Sequence, residues 1–527
     1  MSYRVCLPTA GTGSRLGELT RFLNKSLVGI ANRPILSHLI EQFSEDAEFV
    51  IALGHKGHLV REFLALAYPA KRFLFAEVSP FEGPSSGLGL SLLACQQYLQ
   101  QPFVFISCDT LVRGAPIPPP ETNWMACAEV GDLAPYRTLA LRGGNVEAIC
   151  EKGEGRLGSH QAYIGLAGIH DHQAFWTAMQ SGGAQAIHTG EAYGLRALLP
   201  QGIAAHTLPW YDTGNPPALT RAREAYQEPD APNILEKATE SIWFVDSQVI
   251  KFSDDEKFIA NRVRRVEQLV GYVPIVTGTQ PHMYRYGKVA GQVMSEVVTL
   301  PLFDRLLTHS EGFWTRQSLG EASSQAFRQT CMAFYREKTH ERVALFYRNF
   351  GRQDGTEAIN GRALPTLASL LAKVDWNWLA DGLPGRFHGD FHFENILWNS
   401  DAQQFCFLDW RQDFGGNLAT GDINYDLAKL LHGLIISHEL IARDLYGVDW
   451  QADAIRYDFH RKQVLVACER HFAHWLRQAG YDVAKVWTLT ALIYLNIAAL
   501  HHAPYSLLLY ALGKDMLAIT LEDYDAN

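Results

Sequence analysis

The sequence predicts an α/β protein in two parts, an α/β domain over residues 1–228 and an α+β domain over residues 229–527. Three observations predict it. Up to Asp109, apolar strand-like runs alternate with helix-leaning segments, the pattern of a mostly parallel sheet. A polar stretch with two prolines, residues 227–233, separates the halves. The second half opens with a few short strands, becomes mainly helical, and then carries a loop and hairpin rich in Asp, Asn and aromatic residues. The length of 527 residues allows two to four domains. A hydrophobic content of 47% with 19% charged residues is that of a globular chain.

The first strand is expected over residues 3–8. Thr9-Ala-Gly-Thr-Gly-Ser-Arg-Leu-Gly17 follows, and residues 18–23 lean to helix. A strand, a glycine-rich turn and a cation form a phosphate cradle, because glycine lets backbone N–H groups approach an anion and Arg15 adds charge. A tight β–α turn is the plain alternative. Lys25, in Asn24-Lys-Ser-Leu27, offers a second cation. Helices are expected over 34–43 and 57–68, and strands over 49–53 and 73–77. A second glycine-rich turn, residues 83–89, precedes a helix over 90–98. The strand 103–107 ends in Cys108-Asp109, which puts Asp109 at a carboxyl end, where open α/β sheets bind ligands.

At these residues the chain resembles the nucleotidyltransferases that convert sugar phosphates and phosphocholine into nucleotide diphosphate derivatives. Leu7-Pro-Thr-Ala-Gly-Thr-Gly-Ser-Arg-Leu16 and Asn24-Lys-Ser-Leu27 carry the likeness, with Asn24 where the family has proline. The resemblance implies a Rossmann-like fold over about residues 3–226. It implies that Ala10, Gly11, Gly13 and Arg15 hold the nucleotide phosphates and that Lys25 meets the reacting α-phosphate. Gly87 and Gly89 would lie near the base. Lys152, in Glu151-Lys152, would meet the acceptor phosphate, and the strand Tyr163-Ile-Gly-Leu-Ala-Gly-Ile169 typically follows. Asp109 and Asp212, the latter in Trp210-Tyr-Asp-Thr-Gly214, would share one Mg²⁺. Two anions react in this chemistry, so a metal and two lysines would offset their repulsion. A turn aspartate and a solvated lysine are the plain readings of Asp212 and Lys152.

The second half is expected to open with strands over 241–245 and 248–252, extended by 273–276 and 289–295 into a small sheet, with a hinge at 296–298. Lys251 stands on an otherwise apolar strand, and lysine is rarely buried without a partner. A nucleotide phosphate and a helix carboxylate would supply one; Glu267, on a helix expected over 257–269, is the first choice and Glu256 the rival. No glycine-rich loop joins the first two strands. Residues 300–380 are mostly helical.

Arg386-Phe-His-Gly-Asp-Phe-His-Phe-Glu-Asn-Ile-Leu-Trp398 and Phe405-Cys-Phe-Leu-Asp-Trp410 then read as a loop and a β-hairpin turning at Asn399-Ser-Asp401. With the hairpin centred on Ala402, Asn395 would oppose Asp409, their Cβ atoms roughly 5 Å apart. Asn395 and Asp409 would hold Mg²⁺, and Asp390 would take the proton of an acceptor hydroxyl, the set a kinase needs. A polar turn beside a core hairpin is the alternative. The stretch resembles the aminoglycoside phosphotransferase and choline kinase superfamily, as does Gly421-Asp-Ile-Asn-Tyr-Asp-Leu-Ala-Lys-Leu430. The likeness covers about residues 238–515 and implies a two-lobed protein-kinase-like fold. It makes Asp390 the base and Asp426 a brace of the loop. His388 is expected to orient that loop. Phe391, Phe393, Trp398 and Trp410 would be either core or a cage for a quaternary ammonium. Arg411 suits an anionic or hydroxyl-rich acceptor unless Asp413 neutralises it.

A net charge of −10 argues against nucleic acid as the main ligand. Eight scattered cysteines without a C-x-x-C pair imply a reducing compartment and no zinc site. The chain is expected to enter its first strand directly, without a signal peptide, and the most apolar run, 489–500, falls short of a membrane span of roughly 20 residues. The whole reads as a cytoplasmic bifunctional transferase acting on small molecules, with no nucleic-acid or membrane partner; a homo-oligomer stays open. It would phosphorylate a small alcohol such as choline with ATP, then add NMP from an NTP, CTP favoured, with Mg²⁺ in both sites. The product would be a donor for decorating surface polysaccharide. The alternatives are a sugar kinase joined to a guanylyl- or uridylyltransferase, and a nucleotide-regulated scaffold with one or no live site. The complete acidic sets argue against the last.

Overall fold

The computed structural model describes residues 3–227, 237–451 and 453–525. The expected linker, apart from Gln227, lies outside the described residues. The chain packs as two compact units, residues 1–259 with 277–288 and residues 260–276 with 289–527.

The first unit is built on a nine-stranded sheet. Its order is Phe73–Glu77, Glu48–Leu53, Arg4–Pro8, Phe103–Ile106, His160–Ile169, Trp124–Ala128, Ala204–Thr207, Asn145–Cys150 and Thr138–Arg142. The first four run parallel, as the alternation of strands and helices requires. These strands are continuous apolar runs, Val5-Cys-Leu7 and Phe49-Val-Ile-Ala-Leu53, because helices cover both faces of a parallel sheet. His160–Ile169 joins antiparallel to Phe103–Ile106 and carries the sheet into its mixed half. The helices expected near 34–43, 57–68 and 90–98 are Ile35–Glu41, Gly57–Ala67 and Leu88–Cys95. The segment 18–23 differs: a 3-10 turn, Ser14–Thr20, follows the loop directly.

The first unit also holds a four-stranded sheet, in the order Glu240–Val245, Gln248–Ser253, Met283–Gly287, Val276–Gln280. Its core is not its own. Trp243, Val245, Ile250, Phe252 and Met283 belong to one buried cluster with Leu59, Phe63 and Leu66 of the helix Gly57–Ala67. Trp243 meets Phe63 edge-on at 5.4 Å between ring centroids. Polar ties follow the same seam. The His282 N–H donates to Glu62 Oε2 at 2.9 Å, Arg285 Nη1 to the Leu66 carbonyl at 2.5 Å, and the Phe244 N–H to the Asn32 carbonyl at 2.8 Å. The expected third and fourth strands are corrected. Pro274 lacks an N–H for a ladder, so the strand starts only at Val276 and turns at Pro281-His282 into Met283–Gly287. Of the segment 289–295, Gln292–Val293 pairs with Trp398 and Leu397, not with this sheet.

The second unit is mainly helical. Leu300–Phe313, Glu321–Met332 and Lys338–Phe350 fill the region expected to be helical, and a π-helical turn, Ala333–Glu337, joins the last two. Ile423–Ile435 is buried along its whole length and starts from Asp422, whose Oδ1 accepts the Asn424 N–H at 3.0 Å. The apolar run near 489–500 lies in the buried helix Val483–Ala498. No helix among the described residues is long and apolar enough to cross a membrane. All eight cysteines are free thiols.

Candidate active sites

In the first unit, chain topology brings Asp109 and Asp212 together. A two-stranded antiparallel sheet, Thr110–Val112 with Trp210–Asp212, sets Asp212 opposite Thr110. The Thr213 N–H donates to the Asp109 carbonyl at 3.0 Å. A Cβ at Gly214 would stand 3.0 Å from Asp109 Oδ2, 3.0 Å from Asp212 Oδ1 and 3.2 Å from Arg15 Nη2. Gly214 therefore marks the point where two carboxylates and a guanidinium converge. Lys25 Nζ donates to Asp109 Oδ2 at 2.5 Å, and Arg15 Nη2 lies 3.9 Å from the same oxygen. Burial opposes the charge on Asp109, yet Lys25 and Arg15 outweigh it and hold its carboxyl below the ordinary range. Paired acidic oxygens flanked by cations fit Mg²⁺, which prefers oxygen ligands.

The loop Thr9–Gly17 is positioned by Gly13, whose left-handed φ of +68° starts the 3-10 turn and whose missing side chain admits Lys25 Cβ, 3.0 Å from where its own Cβ would be. Gly11 is exposed, and the buried Ala10 accepts the His55 N–H through its carbonyl at 2.9 Å. Asn24 earns its place differently from proline: its amide donates to the Thr9 and His55 carbonyls at 2.9 and 2.7 Å and its Oδ1 accepts the Ser26 N–H. Gly87 and Gly89 have a packing reason, since a Cβ there would meet the Ile187 carbonyl at 2.4 Å and the Ala186 carbonyl at 2.1 Å. Lys152 is exposed in a turn, while its neighbour Glu151 is held by Arg137 Nε at 3.0 Å and Arg196 Nη2 at 2.6 Å. Sequence reasoning missed Glu191, a buried carboxylate beside the buried Tyr163 hydroxyl; burial, the largest cause for each, pushes both groups up.

In the second unit the stretch 386–410 folds as a loop, a short 3-10 turn at Phe393–Asn395, and the hairpin Ile396–Asn399 with Gln404–Phe407. The expected register is corrected. Ile396 opposes Phe407 and Asn399 opposes Gln404, so the hairpin centres between Asp401 and Ala402. The reason is a four-residue turn, with Asn399 Oδ1 accepting the Asp401 and Ala402 N–H groups and Gln403 in the left-handed region at φ +53°. Asn395 therefore faces Leu408, whose N–H donates to its carbonyl at 2.7 Å. Asp409 comes one residue later and turns away from the ladder at φ +58°.

Asp390, Asn395 and Asp409 lie around this bend. Asn395 Nδ2 donates to the Asp390 carbonyl at 2.9 Å and to Asp390 Oδ2 at 3.2 Å, which leaves its Oδ1 as the atom for a cation. Lys429 Nζ sits 2.7 Å from Asp390 Oδ1. Desolvation opposes the charge on Asp390, but Lys429 and then His392 hold the carboxyl well below its usual range. Arg262 Nη1 donates to Asp409 Oδ1 at 3.2 Å. These donors suit Mg²⁺ on the same ground as the first pair.

Asp426 accepts the N–H groups of His388 and Gly389, each at 2.6 Å, and the Trp314 indole at 3.1 Å. Burial still pushes its carboxyl up to about 6. His388 is pushed down to about 3, first by burial, so the imidazole is neutral; Nε2–H donates to the Leu408 carbonyl at 2.8 Å and Nδ1 accepts the Asp390 N–H at 3.2 Å. His392, Glu394 and His438 hold potential ligand atoms within 4.8 Å of one another.

Three residues behind this geometry were missed: Lys429, Arg262 and Arg265. Lys429 had a signal, since it follows Asp426 by three positions on one helix and so shares its face. Arg262 and Arg265 had none beyond their place on a basic helix. Arg265 is almost wholly buried, donates to the Phe387 carbonyl at 2.5 Å and stacks 3.8 Å over the Phe387 ring, and burial pushes it down to about 9. Glu267 is exposed in the turn Val266–Gln268 of the second unit, and Lys251 is buried on its strand in the first. The cage is not formed. Phe391, Phe393, Trp398 and Trp410 are all buried: Phe391 packs on Trp314 and Phe407, Phe393 on Phe303, Trp398 on Phe405, and the Trp410 indole donates to the Arg262 carbonyl.

Residues 325–459 match the family model of the phosphotransferase enzyme family. The chain is also 26% identical over 127 residues to proline–tRNA ligases of Francisella tularensis, including that of strain WY96-3418. That match takes in 23% of this chain and spans about a fifth, 22%, of the length of these curated relatives. Among solved structures, a UDP-glucose pyrophosphorylase in complex with UDP-glucose is similar at 18% identity and a TM-score of 0.38, covering 43% of this chain and 98% of that one. A CTP:phosphocholine cytidylyltransferase from Streptococcus pneumoniae is similar at 14% identity and a TM-score of 0.37, covering 43% and 99%.

Proposed function

We propose that the chain is a bifunctional transferase of the cytoplasm. Its second half moves the γ-phosphate of ATP to the hydroxyl of a small alcohol, and its first half joins the resulting phosphate to NMP from an NTP. The observation that carries this reading is that one chain holds two separate acidic sets, Asp109 with Asp212 and Asp390 with Asn395 and Asp409. The second of these lies within the phosphotransferase-family match.

In the phosphotransfer step the acceptor oxygen attacks the γ-phosphorus, ADP leaves, and Asp390 receives the hydroxyl proton. A carboxylate held so firmly ionised is a weak base. It suits a loose transition state, in which the proton moves late and the main task is to orient the hydroxyl. Asn395 Oδ1 and Asp409 would hold Mg²⁺, and Asp109 and Asp212 would hold another; the metal supplies charge neutralisation at phosphate oxygens. In the second step an oxygen of the new phosphate attacks the α-phosphorus of the NTP and pyrophosphate leaves. Lys25 and Arg15 offset the repulsion between the two anions, and Lys152 is the cation proposed for the acceptor phosphate. The loop of Ala10, Gly11 and Gly13, with Gly87, is the proposed nucleotide site here, and the proposed domains are 1–228 and 229–527.

The product is a nucleotide-activated donor of the kind used to decorate surface polysaccharide. A second reading, in which the alcohol is a sugar or polyol, gains from the burial of Phe391, Phe393, Trp398 and Trp410 in the core, where they form no cage for a quaternary ammonium. The test presents ATP with each of CTP, GTP and UTP to choline, ethanolamine, glycerol and hexoses, and follows ADP and pyrophosphate. The proposal expects ADP release with one acceptor and pyrophosphate release with one base, CTP first. No ADP release with any acceptor contradicts it.

A further inference from the structure

Beside the Asp390 loop lies a set of cations that the phosphotransfer step does not use. The Arg411 side chain runs over Gly389: a Cβ on that glycine would stand 2.5 Å from Arg411 Cβ and 3.1 Å from its Cδ. The guanidinium carbon then lies 5.0 Å from the centre of the Phe334 ring. Lys338 Nζ lies 4.1 Å from the centre of the same ring. Phe334 is fixed by Phe414 and Tyr425, at 4.6 and 5.0 Å between centroids. It stands on the π-helical turn Ala333–Glu337, a form of helix found often at functional sites.

Neither cation has a carboxylate partner among the described residues, and Arg411 Nε is buried without any acceptor. Asp413, the residue able to neutralise Arg411, accepts the Gly416 N–H at 2.9 Å and makes no ion pair with it. Lys429 is already matched by Asp390. Burial first, then Arg411, Arg342 and Lys429, push the Lys338 ammonium down to about 7, against a smaller pull from the Asp390 carboxylate, which Lys429 already holds. Two cations on one ring, neither in an ion pair and both partly withdrawn from water, are costly unless an anion joins them. A guanidinium presents a planar fork of donors that fits a carboxylate or a phosphate.

From this arrangement we infer that Arg411 and Lys338 form the acceptor subsite of the kinase half and select an alcohol that also carries an anionic group, a carboxylate or a phosphate. The inference rests on the reading of Asp390 as the group that receives the acceptor proton. The anion would lie against Arg411 and Lys338 while the hydroxyl reaches Asp390. A cationic alcohol such as choline or ethanolamine would meet two like charges there.

The test measures ATP-dependent phosphorylation of matched acceptors: glycerol against glycerate and glycerol 3-phosphate, glucose against glucuronate, and choline and ethanolamine as cationic controls. The inference expects the anionic member of one set to exceed its neutral partner at least tenfold in kcat/KM. Arg411→Met and Lys338→Met should each raise its KM at least tenfold, leave the KM for ATP within about threefold, and Arg411→Lys should restore part of the loss. Glycerate against glycerol 3-phosphate tells the two anions apart. Equal or better use of neutral or cationic acceptors overturns the inference and leaves the phosphotransfer reading standing. A raised KM for ATP in the variants also overturns it, since the cations would then serve the nucleotide. No ADP release with any acceptor overturns the phosphotransfer reading itself, and this inference with it.

Discussion

The two acidic sites are assembled in opposite ways. Asp390 and Asn395 are five residues apart, and a loop and a hairpin hold them with Asp409 inside one stretch of chain. Asp109 and Asp212 meet only because two short strands pair across more than a hundred residues. In both, a lysine sits on a carboxylate, Lys429 on Asp390 and Lys25 on Asp109. The local site is set by one loop and its hairpin, whereas the distant one depends on strand pairing and on a single glycine, Gly214, at the point of convergence.

The sharpest way to break this comparison is at Asp409. Asp409→Ala should lower phosphotransfer on the order of 10³-fold, the scale of losing a preorganised charge at the reacting phosphate, while NMP transfer to a phosphorylated acceptor stays within twofold to threefold of normal. Steady-state ADP and pyrophosphate release read the two separately. Next comes separation of the halves. A chain of residues 229–527 alone loses the partners of Trp243, Ile250, Phe252 and Met283, each worth about 1.5–3 kcal/mol when buried. That is much of the roughly 5–15 kcal/mol that holds a domain. It should aggregate or unfold without a cooperative transition in thermal denaturation, and a soluble, cooperative fragment would break the claim that the small sheet borrows its core.

Gly214→Ala should act only on the first site. Its methyl group comes within 3.0 Å of both carboxylate oxygens, and a displacement of about 1 Å costs on the order of 10²-fold in rate. NMP transfer falls and phosphotransfer does not. The smallest effect is electrostatic. Lys338 has a folded pKa of about 7, below its unfolded value, so the folded protein binds fewer protons than the unfolded chain above that pH. Its contribution to stability is unfavourable below pH 7 and is relieved as pH rises towards that of an ordinary lysine. Lys338→Met should flatten the rise in denaturant midpoint over that window.

Much of this was legible in the residues. The parallel strands are long apolar runs, so 49–53, 73–77 and 103–107 could be placed almost to the residue. Local patterns were readable for the same reason: Asp390, Asn395 and Asp409 lie within twenty positions. The register differs from the expected one by one residue, because the centre of a turn depends on φ at Gln403 and on the Asn399 side chain, which no apolar alternation reports. The small sheet was misread at 273–276 and 289–295, where strand choice is set by pairing with Trp398 and by the seam at Phe63. Arg262 and Arg265 were invisible because a basic helix face looks like a solvated one until something packs on it. The aromatic residues near Asp390 were read two ways, and burial decided for core.

The central claim is that the chain carries two independent transferase sites. Its most direct test uses two variants, Asp390→Asn and Asp109→Asn, assayed for ADP release with the acceptor and for pyrophosphate release with the phosphorylated acceptor. The account predicts that Asp390→Asn loses about 10²–10⁴-fold in the first assay and keeps the second, and that Asp109→Asn does the reverse. A folded variant of either kind that loses both activities would contradict it.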